Sequence, residues 1–180
     1  MSEETSFQFA EYAKPVAKLG KNRRMRFLLI SLYVAFAAAY ALTFISLTMP
    51  QVIAVLPIFV WMLVFFTWGV VSYECCVRVS SGDITFLKLR GKKEKKLLSF
   101  SAKEILCALP YDEKGKREIE QKNFTSTLDF RADPRCDGYA ILVNKDGATL
   151  LVRFEATIAV MNAMRYYNKA VTVDKDFLKY

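Results

Sequence analysis

The residues of this chain able to do chemistry are eighteen carboxylates and four cysteines, without a single histidine. That absence removes the commonest general acid–base group and a leading metal ligand. Cys75, Cys76, Cys107 and Cys136 lack Cys-x-x-Cys spacing, so neither a zinc site nor a dithiol redox pair has its usual frame. Asp112 and Glu113 open a charge-rich stretch, Tyr111 to Lys122, that contains Gly115 and reads as an exposed, mobile loop. Glu118 and Glu120 alternate instead of converging. Asp133 and Asp137 flank Cys136, with only Arg135 near enough to favour a thiolate. There is no Gly-rich phosphate loop. The expectation is a chain that is not an enzyme, with no catalytic residue, no metal and no cofactor.

Cations are the larger resource, since 26 Lys and Arg give a formal charge of +8. Two groups stand out as candidates for anionic-lipid contact: Lys21, Arg23, Arg24 and Arg26, and then Lys92, Lys93, Lys95 and Lys96. The ordinary alternative for the second group is a solvated turn. Nucleic acid is not expected, because the remaining cations are mixed with acids and no recognition motif accompanies them.

What must position the first group is a long uncharged stretch, for no Asp, Glu, Lys or Arg occurs between Arg26 and Glu74. Residues 27–48 and 52–72 are each long enough to cross a hydrocarbon core of roughly 30 Å. Pro50 forces a turn between them by displacing Met49 from helical geometry. A secretory signal would be one shorter apolar core, so cleavage is not expected. Lys18, Lys21, Arg23, Arg24 and Arg26 precede the pair while Arg78, Lys88 and Arg90 follow it, which places both termini in the cytoplasm by the positive-inside bias. A multi-pass protein of the cell membrane is the expectation. Residues 1–26 then form a basic juxtamembrane arm, either a short interfacial helix lined by Phe7, Phe9, Tyr12, Val16 and Leu19 or a partly disordered tail. Cys75 and Cys76, where the second span meets the cytoplasm, are at a position that permits S-acylation in eukaryotes.

From residue 73 the apolar runs shorten and turn signals separate them, as in successive antiparallel strands. Cys75 to Val79, Ile84 to Arg90 and Lys95 to Phe100 read as a meander, turned at Ser80-Ser81-Gly82-Asp83 and Gly91-Lys92-Lys93-Glu94. Ala102 to Leu109 is either a strand or one helical turn, with Ser101 and Glu104 spaced as a capping box. Phe124 to Phe130 alternates loosely. Tyr139, Ile141 and Val143 alternate before Asn144-Lys145-Asp146-Gly147, and Ala148, Leu150, Val152 and Phe154 alternate after it, so both sets should enter one core. Val160, Ala163, Met164 and Tyr167 then fall at helical spacing within 156–168. The organisation is an α-helical membrane hairpin plus an α+β soluble domain over 73–170, with 171–180 as a tail.

The stretch YECCVRVSSGDITFLKLRGKKEKKLLSF, followed by the last hairpin and one closing helix, resembles bacterial membrane-anchored PH-like domain proteins of unknown function. These carry a paired span ahead of the domain, and the likeness covers Arg23 to about Asn168. It implies a PH-like antiparallel β-barrel or sandwich closed by a C-terminal helix, and a fold rather than an activity. PH domains that bind phosphoinositides usually place Lys and Arg in and beside the first hairpin turn. Here that turn carries no base, and Lys92, Lys93, Lys95 and Lys96 come one turn later.

The function expected is a non-enzymatic, membrane-tethered module that contacts inner-leaflet lipid, binds a protein partner or self-associates. A small oligomeric transport or export component built from the hairpin is the second expectation, although its spans lack the ionisable groups of a transport path. A lipid-modifying enzyme with its site on the membrane-facing rim is the third.

Overall fold

The computed structural model describes residues 9–173. The chain divides into two compact units: one combines the N-terminal segment through Val16 with everything from Glu74 onward, and the other is Ala17–Tyr73.

The first unit is built on two four-stranded sheets. Strands β1 (Phe9–Pro15), β2 (Glu74–Ser80), β3 (Asp83–Arg90) and β4 (Lys93–Ser101) form an antiparallel sheet in that order. The second sheet runs β5 (Ile105–Pro110), β7 (Tyr139–Lys145), β8 (Ala148–Phe154) and β6 (Ser126–Asp129), with only β6 parallel to its neighbour. Two hairpin turns follow from local chemistry. Ser81-Gly82 and Asp146-Gly147 both take positive φ at both positions, as type I′ turns require.

The N-terminal expectation is corrected. Residues 9–15 are neither interfacial helix nor tail but an edge strand, paired with β2 from Phe9 opposite Ser80 to Pro15 opposite Glu74. The apolar pair therefore interrupts the sheet between its first and second strands instead of preceding it. Phe7 lies outside the described residues. Alternation explains the strand: Ala10 and Tyr12 face the core, while Glu11 and Ala13 face outward.

Two further regions differ from expectation. Ala102 to Leu109 is both alternatives in succession, a 3-10 turn (Ala102–Glu104) closed by the Ser101/Glu104 capping box and then β5. The supposed mobile loop holds a helix, α3 (Glu113–Glu120), capped by the Asp112 carboxylate on the Gly115 amide at 2.7 Å. Gly115 looked like a loop residue, yet its role is close approach, since a Cβ there would stand 2.0 Å from the Pro110 carbonyl oxygen. Ile119 is the helix's single large apolar residue and is buried against Tyr111, Ala140, Leu142 and Leu151. Strand β7 is consequently buried on both faces, because Tyr139, Ile141 and Val143 enter the main core. That core is closed by the C-terminal helix α4 (Ile158–Tyr167), which contributes Val160, Met161, Ala163 and Met164. Val171 also belongs to it, pairing with Ala108, so the expected tail begins inside the fold.

The second unit is a helical hairpin. Helix α1 (Gly20–Ser46) ends with Thr48 at φ 57, its amide and that of Met49 donating to the carbonyls of Ile45 and Phe44, the paired closure of a Schellman motif. A 3-10 segment (Pro50–Val55), helix α2 (Leu56–Thr67) and a 3-10 turn (Trp68–Val70) return the chain. Pro57 sits in the first turn of α2, where its missing N–H costs no helical bond. Residues 22–46 and 51–70 are long and apolar enough to cross a membrane, with mean hydropathies of 2.2 and 2.3. Polar groups of the hairpin bond to each other: Tyr33 to Thr67, Tyr40 to the Val52 carbonyl, and Thr43 and Ser46 to carbonyls one turn back. Ala35, Ala38 and Ala39 remain exposed on α1, so α2 does not cover them.

Candidate functional site

The β3–β4 hairpin gathers one of the two cationic sets. Gly91 and Lys92 make a two-residue turn, with Gly91 at φ 57 in the first central position. Strand β4 therefore begins at Lys93, two residues earlier than expected. Register now sets Lys88 opposite Lys95 and Arg90 opposite Lys93. Like charges directly opposite each other in a ladder are destabilising, so this arrangement works against the fold that displays it. Lys92, Lys93, Lys95 and Lys96 are all exposed. Lys88 is half-buried, and burial together with neighbouring Arg90 and Lys95 lowers its ammonium from the ordinary lysine value. The sequence reading missed Lys88 and Arg90 as members of the set. A two-residue turn at Gly91-Lys92 was the signal that would have found them.

Among the residues from Ile84 to Phe100 the single carboxylate is Glu94. It does not pair with the lysines beside it. The Arg78 guanidinium on β2 takes it bidentately, Nη1 and Nη2 donating at 3.1 and 3.0 Å, while Nε and Nη2 donate to Glu11 on β1 at 3.0 and 3.3 Å. The Arg78 hydrogen bond holds the Glu11 carboxyl below its usual value. The Cys76 thiol donates to the same Glu11 at 3.2 Å and is buried. Burial, then Glu11, pushes that thiol up to about 12, and burial pushes Cys75 up to about 11. Both remain protonated at neutral pH and are poor nucleophiles.

The other cationic set lies on the hairpin unit. Arg23 and Arg24 are exposed and line an open groove with Gly20, Phe27 and Leu28. Such alternation of guanidinium and apolar side chains suits a membrane–water boundary. Arg26 is instead engaged, donating from Nη2 to the Val71 carbonyl at 2.9 Å. The Lys21 side chain lies outside the described residues.

The carboxylates considered for catalysis are largely committed to cations. Asp133 pairs with Arg135, Asp137 and Glu113 with Lys116, and Glu118 with Lys122. Among the described residues no cluster of three or more Cys, Asp or Glu side chains is placed to hold a metal ion. Among the described residues, Glu155 is the buried charged one. It accepts from Lys14 Nζ and from the Asp133 amide at 2.7 Å.

This pair gives an asymmetric prediction. Lys14 keeps 38% of its side chain exposed and Glu155 only 9%. Lys14→Met strands a buried carboxylate, whereas Glu155→Gln leaves an ammonium able to reach water. After discounting for the exposed partner, K14M should cost about 2 kcal/mol and E155Q about half that. Guanidinium denaturation of each variant in detergent would reveal the order, and equal costs would contradict it.

The two sheets, their mixed pairing and the closing helix place the first unit in the architecture expected from its sequence. A family of bacterial PH-like domains (DUF6106) matches residues 8–174, from the residue before β1 to just beyond the paired Val171. The chain belongs to that family. No curated protein and no solved structure matches it. The match begins with β1 and runs through the hairpin, so both lie inside the family's extent.

Proposed function

We propose that this chain is a non-enzymatic, membrane-tethered PH-like module whose β3–β4 turn contacts anionic lipid of the cytoplasmic leaflet. The observation that carries the reading is the stack of like charges across that turn, Lys88 opposite Lys95 and Arg90 opposite Lys93. Lysines on β4 alone would serve to guard an open sheet edge against pairing. Cations opposite them on β3 add cost without improving that protection, and an anionic surface recovers it.

Connectivity supports the same reading. The register aligns Pro15, Glu74, Leu89 and Glu94 across the first sheet, so the strand ends that lead to and from the apolar hairpin lie at the same end of the sheet as the basic turn. Only residues 16–19 separate β1 from α1, and only 71–73 separate the last 3-10 turn from β2. The polar groups of the hairpin bond within it and no Asp, Glu, Lys or Arg lies between Arg26 and Glu74, which favours an anchor over a transport path.

The test uses the full chain in lipid nanodiscs. Hydrogen exchange across 88–97 should slow when phosphatidylglycerol replaces phosphatidylcholine, and added salt should reverse the effect. Replacing Lys92, Lys93, Lys95 and Lys96 together by alanine should weaken the phosphatidylglycerol dependence several hundredfold, at about fivefold per lysine. A quadruple variant that responds like the parent would sink the lipid reading.

A further inference from the structure

The β3–β4 pairing contains a bulge, and the basic turn lies beyond it. Phe86 stands opposite Leu98 but Leu87 opposite Lys96, so Leu97 is the extra residue of β4. Ile84 and Phe86 face the main core, and alternation along β3 carries Lys88 and Arg90 on that same side. Their partners across the ladder, Lys95 and Lys93, share the face. Without the extra residue the phase of β4 would be reversed, with Lys96 opposite Lys88 and Glu94 opposite Arg90. The bulge therefore leaves Glu94 on the outer face, where Arg78 pairs with it, and gives the core side of the hairpin end to cations. We infer that Lys88, Arg90, Lys93 and Lys95 form a binding site for one phosphomonoester group, presented by a lipid headgroup, on the core-facing side of the β3–β4 hairpin.

The inference rests on the lipid-contact reading of the turn and adds which side binds and what kind of headgroup it takes. The four positions stand at the corners of a quadrilateral, about 5 Å across the ladder and about 7 Å along each strand, so their long side chains can close on one tetrahedral anion. Arg90 brings a planar fork that matches two phosphate oxygens, and the lysines add point charges. A phosphomonoester carries about two negative charges at neutral pH and three acceptor oxygens, against the single charge of the phosphodiester in phosphatidylglycerol. The monoester therefore meets these cations more fully. Carboxylates of the second sheet are engaged elsewhere, Asp129 with Arg131 and Glu155 with Lys14. Lys92 in the turn and Lys96 on the opposite face lie outside the site and supply general attraction to an anionic surface.

The experiment places the full chain in phosphatidylcholine nanodiscs containing either phosphatidic acid, a phosphomonoester, or phosphatidylglycerol at matched headgroup charge, and reads hydrogen exchange at 88–97. The parent should need about tenfold less phosphatidic acid for the same protection, the least that one added charge-assisted hydrogen bond is worth. Lys93→Ala with Lys95→Ala, and Lys92→Ala with Lys96→Ala, remove the same charge from exposed positions. Each pair should weaken the phosphatidylglycerol response roughly 25-fold, at about fivefold per lysine. Only the first pair should abolish the preference for phosphatidic acid. Exchange across 9–15 and 74–80 in pure phosphatidylcholine reports folding separately. A parent without the preference, or two pairs that lose it equally, overturns the site while leaving the lipid contact in place. If neither pair weakens the response to either lipid, the lipid-contact reading itself has failed. Glycerol phosphate added to phosphatidylcholine discs should give no protection; protection there overturns lipid as the source of the group.

Discussion

Phe86→Ala should destabilise the PH-like domain by about 4 kcal/mol, the upper range for emptying an aromatic position in a packed core. Phe86 is 1% exposed on β3 and touches aromatic rings from three directions. Its centroid lies 5.9 Å from Phe100 on β4, 4.9 Å from Phe130 beyond β6 and 5.4 Å, edge to face, from Phe154 on β8. The side chain therefore joins both sheets, and its loss removes ring–ring contacts as well as buried area. Neighbours fixed in strands collapse poorly into the space, which is why the cavity should persist. Phe86→Leu keeps much of the volume and should cost less than half as much. Unfolding can be followed in detergent through labelling of buried Cys76 once Cys75, Cys107 and Cys136 have been replaced by serine. A cost for the alanine variant under about 1 kcal/mol would show that the two sheets are held by something other than this cluster.

Asn168→Ala should cost about 3 kcal/mol, unusual for a half-buried polar residue just past a helix. Its side-chain amide donates to the carbonyls of Ala102 and Ile105 at 2.8 and 2.9 Å, and its side-chain oxygen accepts from the Ala170 amide at 2.9 Å. One residue thus ties the end of α4 to the corner between the sheets and starts the turn that brings Val171 against β5. Alanine leaves two carbonyls without that donor, and unmet backbone acceptors carry the larger share of the loss. Asn168→Asp is the sharper test. It preserves shape but points a carboxylate at two carbonyl oxygens, so it should be at least as damaging as alanine. Thermal unfolding of the full chain in detergent would compare them, and an aspartate variant as stable as the parent would remove the role assigned to this amide.

Much of the architecture was legible because its signals are local. A stretch without charge marked the two apolar helices, and Pro50 marked the place where they part, with Met49 indeed outside helical geometry. Glycine after Ser81 and after Asp146 turned two hairpins, and alternation from Tyr139 to Phe154 placed one face of each strand in the core. The Ser101/Glu104 spacing formed the capping box it suggested. In each case a few neighbouring residues restrict the backbone by themselves.

The rest lay in relations between distant residues. Phe9–Pro15 becomes a strand because β2, on the far side of the hairpin, offers it a ladder. The charged run around Gly115 becomes a helix because one isoleucine finds the outer face of β7, a burial that no periodicity in eight residues could announce. The same holds for the candidate site. Lys92, Lys93, Lys95 and Lys96 were visible as a run of charge. Their opposition to Lys88 and Arg90 depends on register, and the capture of Glu94 by Arg78 depends on the pairing of three strands.

Composition and local spacing were thus enough to establish the pair of uncharged helices, the strand-rich remainder and the lack of a histidine-based acid–base group, since each is a property of residue type or of short stretches of chain, while the PH-like class was implied by resemblance and shown by the family match. Tertiary structure alone settled where β1 goes, what covers β7 and which arginine holds Glu94. Those are outcomes of strand pairing and burial across long separations, where the free energy belongs to the pair and neither partner carries its sign alone.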